Sequence, residues 1–536
     1  MRRSMNLMLV VLFCFLMGTS ALGQTTTGRL RGQVLDPSGG AVAAAQVTIT
    51  NQQTGVTVTV ATTSAGIYGL PSVLPGLYKI SVEAKGFRTL VKKDVPVLAD
   101  QDNVADAQLE LGSASETVEV VAGTVAVQTT SATLNNNFNA NDVQLPNASG
   151  TLNGSPLNLA VLAPNVVAMP GGVTGVGGAV GGTRPRDNNF TVDGVDDNNL
   201  GVTGNNSTVI PDAVAEFALT TNQFSAEYGH SAGGQFSLVT KTGTNNWHGS
   251  GEWYNQNRNY NSLDNLTKGA IASGTIPGQP AYDNNRFGGT IGGPLIKNKL
   301  FIFGAYEYTT LHGQGTATPL IAPTASGLST LQSMAADSAV HNILANFPVA
   351  PASDLPPITV NGQSVPIGNV VIISPLFQRE HDAIVNADYT FGKHQLGARF
   401  LFNQENFINP VNSTQAVFNQ AEPIHNRKIA LSDVWTVNNT VVNDLRLQYS
   451  YFSLALVNPC TVCPNDTTIV ELGSNTIGPS DNQFQKQNTY QILDTLTWSH
   501  GKHTFKFGGQ YDHFIYPQFF LPGATETTGT TLHRTS

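Results

Sequence analysis

Charge is what this chain of 536 residues has least of: Asp, Glu, Lys and Arg make up 12% of it, about half of the ~25% usual in globular proteins. Lys+Arg 27 against Asp+Glu 36 gives a net charge of −9, which argues against a nucleic-acid partner, since phosphate binding wants a basic face. Cysteine is nearly as scarce, at three residues. Cys14 lies in an N-terminal leader, so Cys460-Thr-Val-Cys463 is the one remaining pair. A zinc site takes about four ligands, and in an exported chain a local disulfide is the better reading of that pair. After the leader, no apolar run approaches the ~20 residues that carry a helix across a bilayer. The glycine-rich stretch from Gly171 to Gly182 lacks both nucleotide-binding spacings and reads as a mobile loop. The 11 histidines are scattered, and no Ser/His/Asp, Cys/His or metal constellation converges. Neither a cofactor nor an enzyme activity is expected.

What replaces charge is Asn, Gln, Thr, Ser and 53 glycines, a neutral composition suited to a surface or envelope protein. Residues 1–23 have the layout of a signal peptide: Arg2 and Arg3, an apolar run from Leu7 to Met17, then Ser20-Ala-Leu-Gly23 with cleavage before Gln24. From residue 27 to 112, short period-2 runs such as Ala45-Gln-Val-Thr-Ile-Thr50 and Val56-Thr-Val-Thr-Val60 alternate with Gly/Pro turns. That is the signature of a β-sandwich. Residues 113–122 carry a short β-prone segment, Glu116, Thr117, Val118, Glu119, Val120 and Val121, beside flexible Gly112-Ser113 and Gly123. Such a segment can add itself as a strand to a sheet edge. Residues 123–245 are Asn/Gly-rich, with a short helix expected over Leu157–Pro164. Asp193-Gly-Val-Asp-Asp-Asn198 lacks the Gly and Glu that a calcium loop needs at its sixth and twelfth positions, and is read as a turn.

The second half alternates. Ala383, Val385, Ala387, Tyr389 and Phe391 are apolar, with Asp382, Asn386, Asp388 and Thr390 between them; the pattern recurs around Leu396–Phe402, Leu445–Tyr451 and Tyr490–Trp498. Tight turns near Asn298, Lys393, Asn438 and Lys502 alternate with long polar loops, Thr309–Arg379 and Ser453–Lys486. Short turns on one side and long loops on the other describe an outer-membrane barrel, with the loops outside. This places Cys460 and Cys463 in an extracellular loop, and Trp247, Trp435 and Trp498 fit interfacial girdles. About nine strands are counted over residues 246–536, an odd number well short of the ~22 of such transporters. The barrel is therefore expected to be unfinished at Ser536.

Several of these stretches resemble known families. Gly32-x-Val34-x-Asp36, Ala45-x-Val47, Gly66-x-Tyr68, Leu74-Pro-Gly-x-Tyr78 and Gly86-Phe87 resemble a carboxypeptidase regulatory-like domain of prealbumin- or starch-binding-like fold. Glu116–Val121 is similar to a TonB box. Asn188–Asn198, Gln223–Gly234, Val239–Asn245 and Phe287–Gly304 resemble the plug and first hairpin of Oar-like TonB-dependent receptors, with His230 where the family more often has Arg. The resemblance implies a mainly β chain: N-terminal sandwich, mixed α/β plug and incomplete antiparallel outer-membrane barrel. It implies a receptor lodged in outer-membrane lipid that binds an external siderophore, oligosaccharide or peptide. The ligand would be imported with energy from a TonB-type inner-membrane complex. An envelope adhesin or glycan-binding protein acting through the sandwich is the alternative.

Overall fold

The computed structural model describes residues 27–112, 117–121, 132–143, 155–168 and, between 177 and 520, all but 202, 226, 229–230, 264, 275, 277, 315–317, 337, 346, 373–374, 410–419, 439, 458–469, 473–474, 478–482, 501–502 and 517. The expected signal peptide, Glu116 and the Cys460/Cys463 pair lie outside these residues.

Period-2 burial builds the first unit. Leu30, Gly32 and Val34 on Gly28–Leu35, Val47 and Ile49 on Gln46–Asn51, and Ile80 and Val82 on Gly76–Glu83 are buried, and the alternate residues between them reach the surface. One sheet runs in the order Thr57–Ala61, Gln46–Asn51, Gly76–Glu83, Thr89–Val97, Thr117–Val121; the other centres on Gly28–Leu35, flanked by Ile67–Val73 and Asp102–Val104. Their inner faces share one apolar core, the sandwich that the turn spacing predicts. Tyr68 is buried in it and donates its hydroxyl to the Ala105 carbonyl at 2.5 Å.

A second sheet orders Leu134–Asn139, Val214–Asn222, Gln235–Thr240, Asn189–Val192 and Val195–Asp196. All six residues of Gln235–Thr240 are buried, so this strand is covered on both faces and shows no wet side. Phe236 packs on Phe190 and Phe217 with centroids 5.0 and 5.8 Å apart. Leu157 and Leu159 join this core from Pro156–Leu162, which is a 3-10 helix and stops short of Pro164.

Nine long strands form the wall: β1 (His248–Asn257), β2 (Tyr282–Ile296), β3 (Leu300–Gln314), β4 (Pro375–Phe391), β5 (His394–Asn409), β6 (Gln420–Asn438), β7 (Val441–Leu456), β8 (Gln483–His500) and β9 (His503–Ile515). They pair antiparallel in chain order from β1 to β9, and among the described residues the sheet does not close on itself. Phe301, Phe303, Ala305 and Glu307 face inward, against the second sheet or its surroundings, while Ile302 and Tyr306 face out. The core of that second sheet, called the plug below, continues into the wall through Phe303, Ala305, Ile384 and Leu401.

The two long connections are shorter than the sequence suggests, because the alternation runs on past the polar residues. β3 continues to Gln314, β4 begins at Pro375, β7 continues to Leu456 and β8 begins at Gln483. Nor is the first connection a plain loop. It holds helices Ala325–Met334 and Ser338–Ala345 with a core of Leu331, Leu344, Phe347, Val360 and Val365. Leu328 and Leu331 supply the helical spacing, and the Thr324 hydroxyl caps the first helix by accepting from the Gly327 amide at 3.3 Å.

Phe217 is fully buried between Phe138 and Phe236. Phe217→Ala is expected to cost the plug about 3–5 kcal/mol. Amide exchange should accelerate in Val214–Asn222 and Gln235–Thr240 and stay unchanged in the sandwich.

Candidate functional site

Two places bring the chemistry-bearing residues together: the seat of the plug in the wall, and the junction of sandwich and plug. In the seat, alternate residues of the wall strands point inward as a comb of amides and cations: Asn403 on β5, Asn426 and Lys428 on β6, Arg446 and Gln448 on β7, and Gln485, Gln487 and Gln491 on β8. The turn at Asp193-Gly194 meets this comb. Both residues have positive φ, at 50° and 76°, which reverses the chain between Asn189–Val192 and Val195–Asp196 as the sequence predicts.

Beyond the turn, the plug backbone is held at almost every step. Arg446 donates to the Asp193 carbonyl at 2.6 Å. Lys428 and Gln448 both donate to the Asp196 carbonyl at 2.9 Å, while the Asp196 amide donates to Gln491 at 3.1 Å. Gln487 donates to the Asn198 carbonyl at 2.8 Å and accepts from the Leu200 amide at 3.0 Å. Asn426 reaches the Asn206 carbonyl at 2.9 Å, and Asn403 exchanges two hydrogen bonds with the Thr208 backbone at 2.7 and 3.1 Å. At the centre is an ion pair between Lys428 and Asp197, whose side chains are 4% and 1% exposed. Asp197 also accepts from the Ser207 hydroxyl at 2.6 Å. Burial pushes the Asp196 carboxyl up to about 6, against the opposing pull of Asn198 and Lys428.

A buried pair of this kind contributes little net stability but is costly to break. Lys428→Met, which leaves Asp197 buried without its cation, is expected to loosen the seat by about 3–5 kcal/mol. Adding Asp197→Asn should recover most of the loss. The measurement is the urea concentration at which protease cuts the plug.

The junction is built on Glu216, a plug residue only 5% exposed. Its carboxylate accepts from the Ala99 amide of the sandwich at 3.1 Å and from Asn137. Next to it, Asp100 accepts from the Tyr228 hydroxyl at 2.7 Å, and Asn135 donates to the Asp100 carbonyl at 2.7 Å. Further contacts tie Asn245 to the Gln53 carbonyl, and Ser72 to Asp444 of β7 at 3.2 Å. A cavity of about 910 Å³ remains where sandwich, plug and wall meet, lined by Leu74, Tyr78, Asn139, Lys241, Arg399 and Arg446 among others.

Burial pushes the Glu216 carboxyl up to about 7 and Asp100 up to about 6. A carboxyl raised in the docked state holds its proton more tightly there. Docking is therefore strongest below the ordinary carboxylate range, near ~4, and weakens as pH rises through 6–7. Protection of the Ala99 amide, corrected for intrinsic exchange, should fall from about pH 5 to about pH 8; Glu216→Gln should flatten the profile.

The β-prone segment lies on the edge of the sandwich sheet. Thr117–Val121 forms a parallel fifth strand on the edge strand Thr89–Val97, in register from Thr89↔Thr117 to Lys93↔Val121. Val118 packs against the sandwich core, Lys93 meets Glu119 at 2.5 Å, and Val120 is 42% exposed. Its other edge is unpaired among the described strands. The sequence marks this segment and the Asp193 turn. It does not mark the wall comb or Glu216 as their partners; the period-2 glutamines Gln485, Gln487 and Gln491 were the available signal.

Residues 239–531 match the family described as outer membrane beta barrel domain, and residues 29–110 match the carboxypeptidase regulatory-like domain. The chain belongs to the outer membrane beta-barrel family. It is an outer-membrane protein, and it is homologous to the TonB-dependent transporter Oar of Myxococcus xanthus, with 28% identity over 317 residues. That alignment covers 58% of this chain and 29% of the Oar protein. Among solved structures it is similar to the outer membrane transporter YddB of Escherichia coli (12% identity, TM-score 0.46) and the siderophore receptor PirA of Acinetobacter baumannii (13%, 0.46). Each of these comparisons covers 71% of this chain and 48% of the other. The chain thus spans under a third of the curated relative and about half of the solved ones. The family match for the sandwich stops before Thr117, so the added fifth strand lies outside the domain that it completes.

Proposed function

We propose that this outer-membrane barrel protein is a receptor that binds a ligand at its loop-side face and brings it inward with energy drawn from a TonB-type inner-membrane complex. The carrying observation is the placement of Thr117–Val121, a short strand with one open edge lying between the sandwich and the plug. Glu116–Val121 is the coupling segment in this reading. A partner strand pairs with its open edge, pulls it from Thr89–Val97, and passes the force through the chain to the plug. The plug is held to the wall by side-chain amides and a few ion pairs, Lys428–Asp197 and Lys506–Glu227 among them, contacts that can be exchanged without unfolding the wall. The protein supplies recognition and a gate and changes no covalent bond.

Deleting Glu116–Val121 from the protein in its native membrane should abolish uptake and leave ligand binding at the outer face intact, measured with labelled siderophore, oligosaccharide and peptide panels. Uptake at the undiminished rate after the deletion would sink the assignment.

A further inference from the structure

The wall's outer face carries its charge asymmetrically, and the asymmetry follows the two ends of the strands. On the loop-side half, the outward positions include Arg379 on β4, Arg427 on β6 and Lys486 on β8, all exposed. His312, His381, His425 and His513 stand at similar levels on the same face. Among the described residues none of the three cations meets a carboxylate. Arg379 instead lies 4.8 Å from the Phe377 ring and Lys486 5.9 Å from the Phe484 ring. The outward carboxylates Asp433 and Asp494 lie on the other half, nearer the short turns, where His394 and Asn443 hold them at 2.9 and 2.7 Å. One outward carboxylate, Asp283, does stand on the loop side, at the far flank on β2, where Asn255 and Asn285 each donate to it at 3.1 Å.

Height makes the pattern informative. Counted up each strand from its short turn, the three cations and four histidines lie roughly 10–14 residues away. At ~3.3 Å per residue and a ~40° tilt this is about 25–35 Å, at or just beyond the top of a lipid-facing apolar band ≈ 25 Å tall. Within the band the outward residues include Val385, Phe400, Ile429, Leu431, Leu447 and Ile492, all exposed on the isolated wall; Asp433 and Asp494 stand in its lower part, each held by its neighbour, His394 or Asn443. Tyr449, Tyr451 and Tyr490 then mark its upper rim. Cations at this level reach lipid headgroups rather than acyl chains or bulk water.

We infer that Arg379, Arg427 and Lys486 form a binding belt for phosphate-bearing lipid headgroups of the outer leaflet. The chemistry is charge complementarity. Guanidinium groups pair with phosphate oxygens bidentately, the lysine acts as a point charge, and Tyr451, paired across from Arg427, faces the upper acyl chains. In a chain with a net charge of −9, three cations gathered at one lipid-facing level have a use that solubility does not explain.

The test uses protein extracted from outer membranes in mild detergent, with lipid phosphate counted per chain after washing. Arg379→Gln/Arg427→Gln/Lys486→Gln should retain at most about a third of the wild-type lipid phosphate, while Arg379→Lys/Arg427→Lys retains most of it. Asp433→Asn/Asp494→Asn should change nothing. The phosphate is counted after solvent extraction; phosphate that stays in the aqueous phase rather than extracting with the lipid would show a free-phosphate site and overturn the proposal. Equal retention by wild type and the triple glutamine variant would also overturn it, as would an equal loss in the Asp433/Asp494 variant. Heat-dependent electrophoretic migration checks folding, and if the triple variant does not fold, the three single variants carry the test, each expected to lose part of the lipid. Ligand uptake does not enter the readout, so this result stands apart from that of the coupling-segment deletion.

Discussion

In a bilayer every backbone N–H and C=O needs a partner inside the protein, and the antiparallel ladder from β1 to β9 provides it. The rest of the structure follows from that ladder. Its pleat sends alternate side chains to lipid and to lumen, so one face must be apolar with aromatic rims and the other is free to be polar. Lumen side chains such as Asn403, Asn426 and Gln487 are nearly or fully buried by the plug. Shut away from water, they must find hydrogen-bond partners or carry the cost of isolation. The plug backbone from Asp193 to Thr208 is what they find.

This explains why the seat is made of amides reaching backbone rather than of apolar packing alone. An apolar interface would hold the plug as firmly but would fuse it into the wall's core. Side-chain amides and the Lys428–Asp197 pair contribute modest net free energy each, because every one exchanges a water partner for a protein one. They fix register strictly while leaving the plug separable from the wall. The apolar contacts that do cross, Phe303, Ala305, Ile384 and Leu401 against the plug core, come from strands β3 to β5. The comb extends that grip through β5, β6, β7 and β8. The plug is thus packed mainly toward β3 to β5, where Asn386 also donates to Thr240 and the Lys241 carbonyl at 2.8 Å, and hydrogen-bonded mainly toward β5 to β8.

What the sequence discloses divides along the same line. Alternation is local, so the strands around Ala383–Phe391 and Tyr490–Trp498 are legible, as are the sandwich strands and the Asp193 turn. Partners are not local. Lys428 lies more than two hundred residues from Asp197, and nothing in either neighbourhood names the other. Glu216 is the one polar residue in the run from Val214 to Leu219, and reads as a surface position until the sandwich covers it. The connection after β3 reads as loop because its two helices are short and its strands have three to six residues. Its core becomes visible only when Leu331, Phe347 and Val365 are brought together.

In the proposed coupling, a pull on Thr117–Val121 would meet these attachments in the order of their strength. Thr117–Val121 is held by a five-residue parallel ladder, one partly exposed ion pair and the side chain of Val118. A surface pair is worth about 0–1 kcal/mol, and an edge strand peels one hydrogen bond at a time. The sandwich–plug junction comes next. It is tied by Glu216, Asp100 and Tyr228, and its hold weakens above the pH at which Glu216 keeps its proton. The plug seat is last, since Asp197 is buried with its cation and the backbone around it is gripped from four strands. A strand already lying in the sandwich therefore serves as the weakest link by construction. In that reading it would give way before anything else moves, so a pull would engage the junction first and the seat only once the slack is gone.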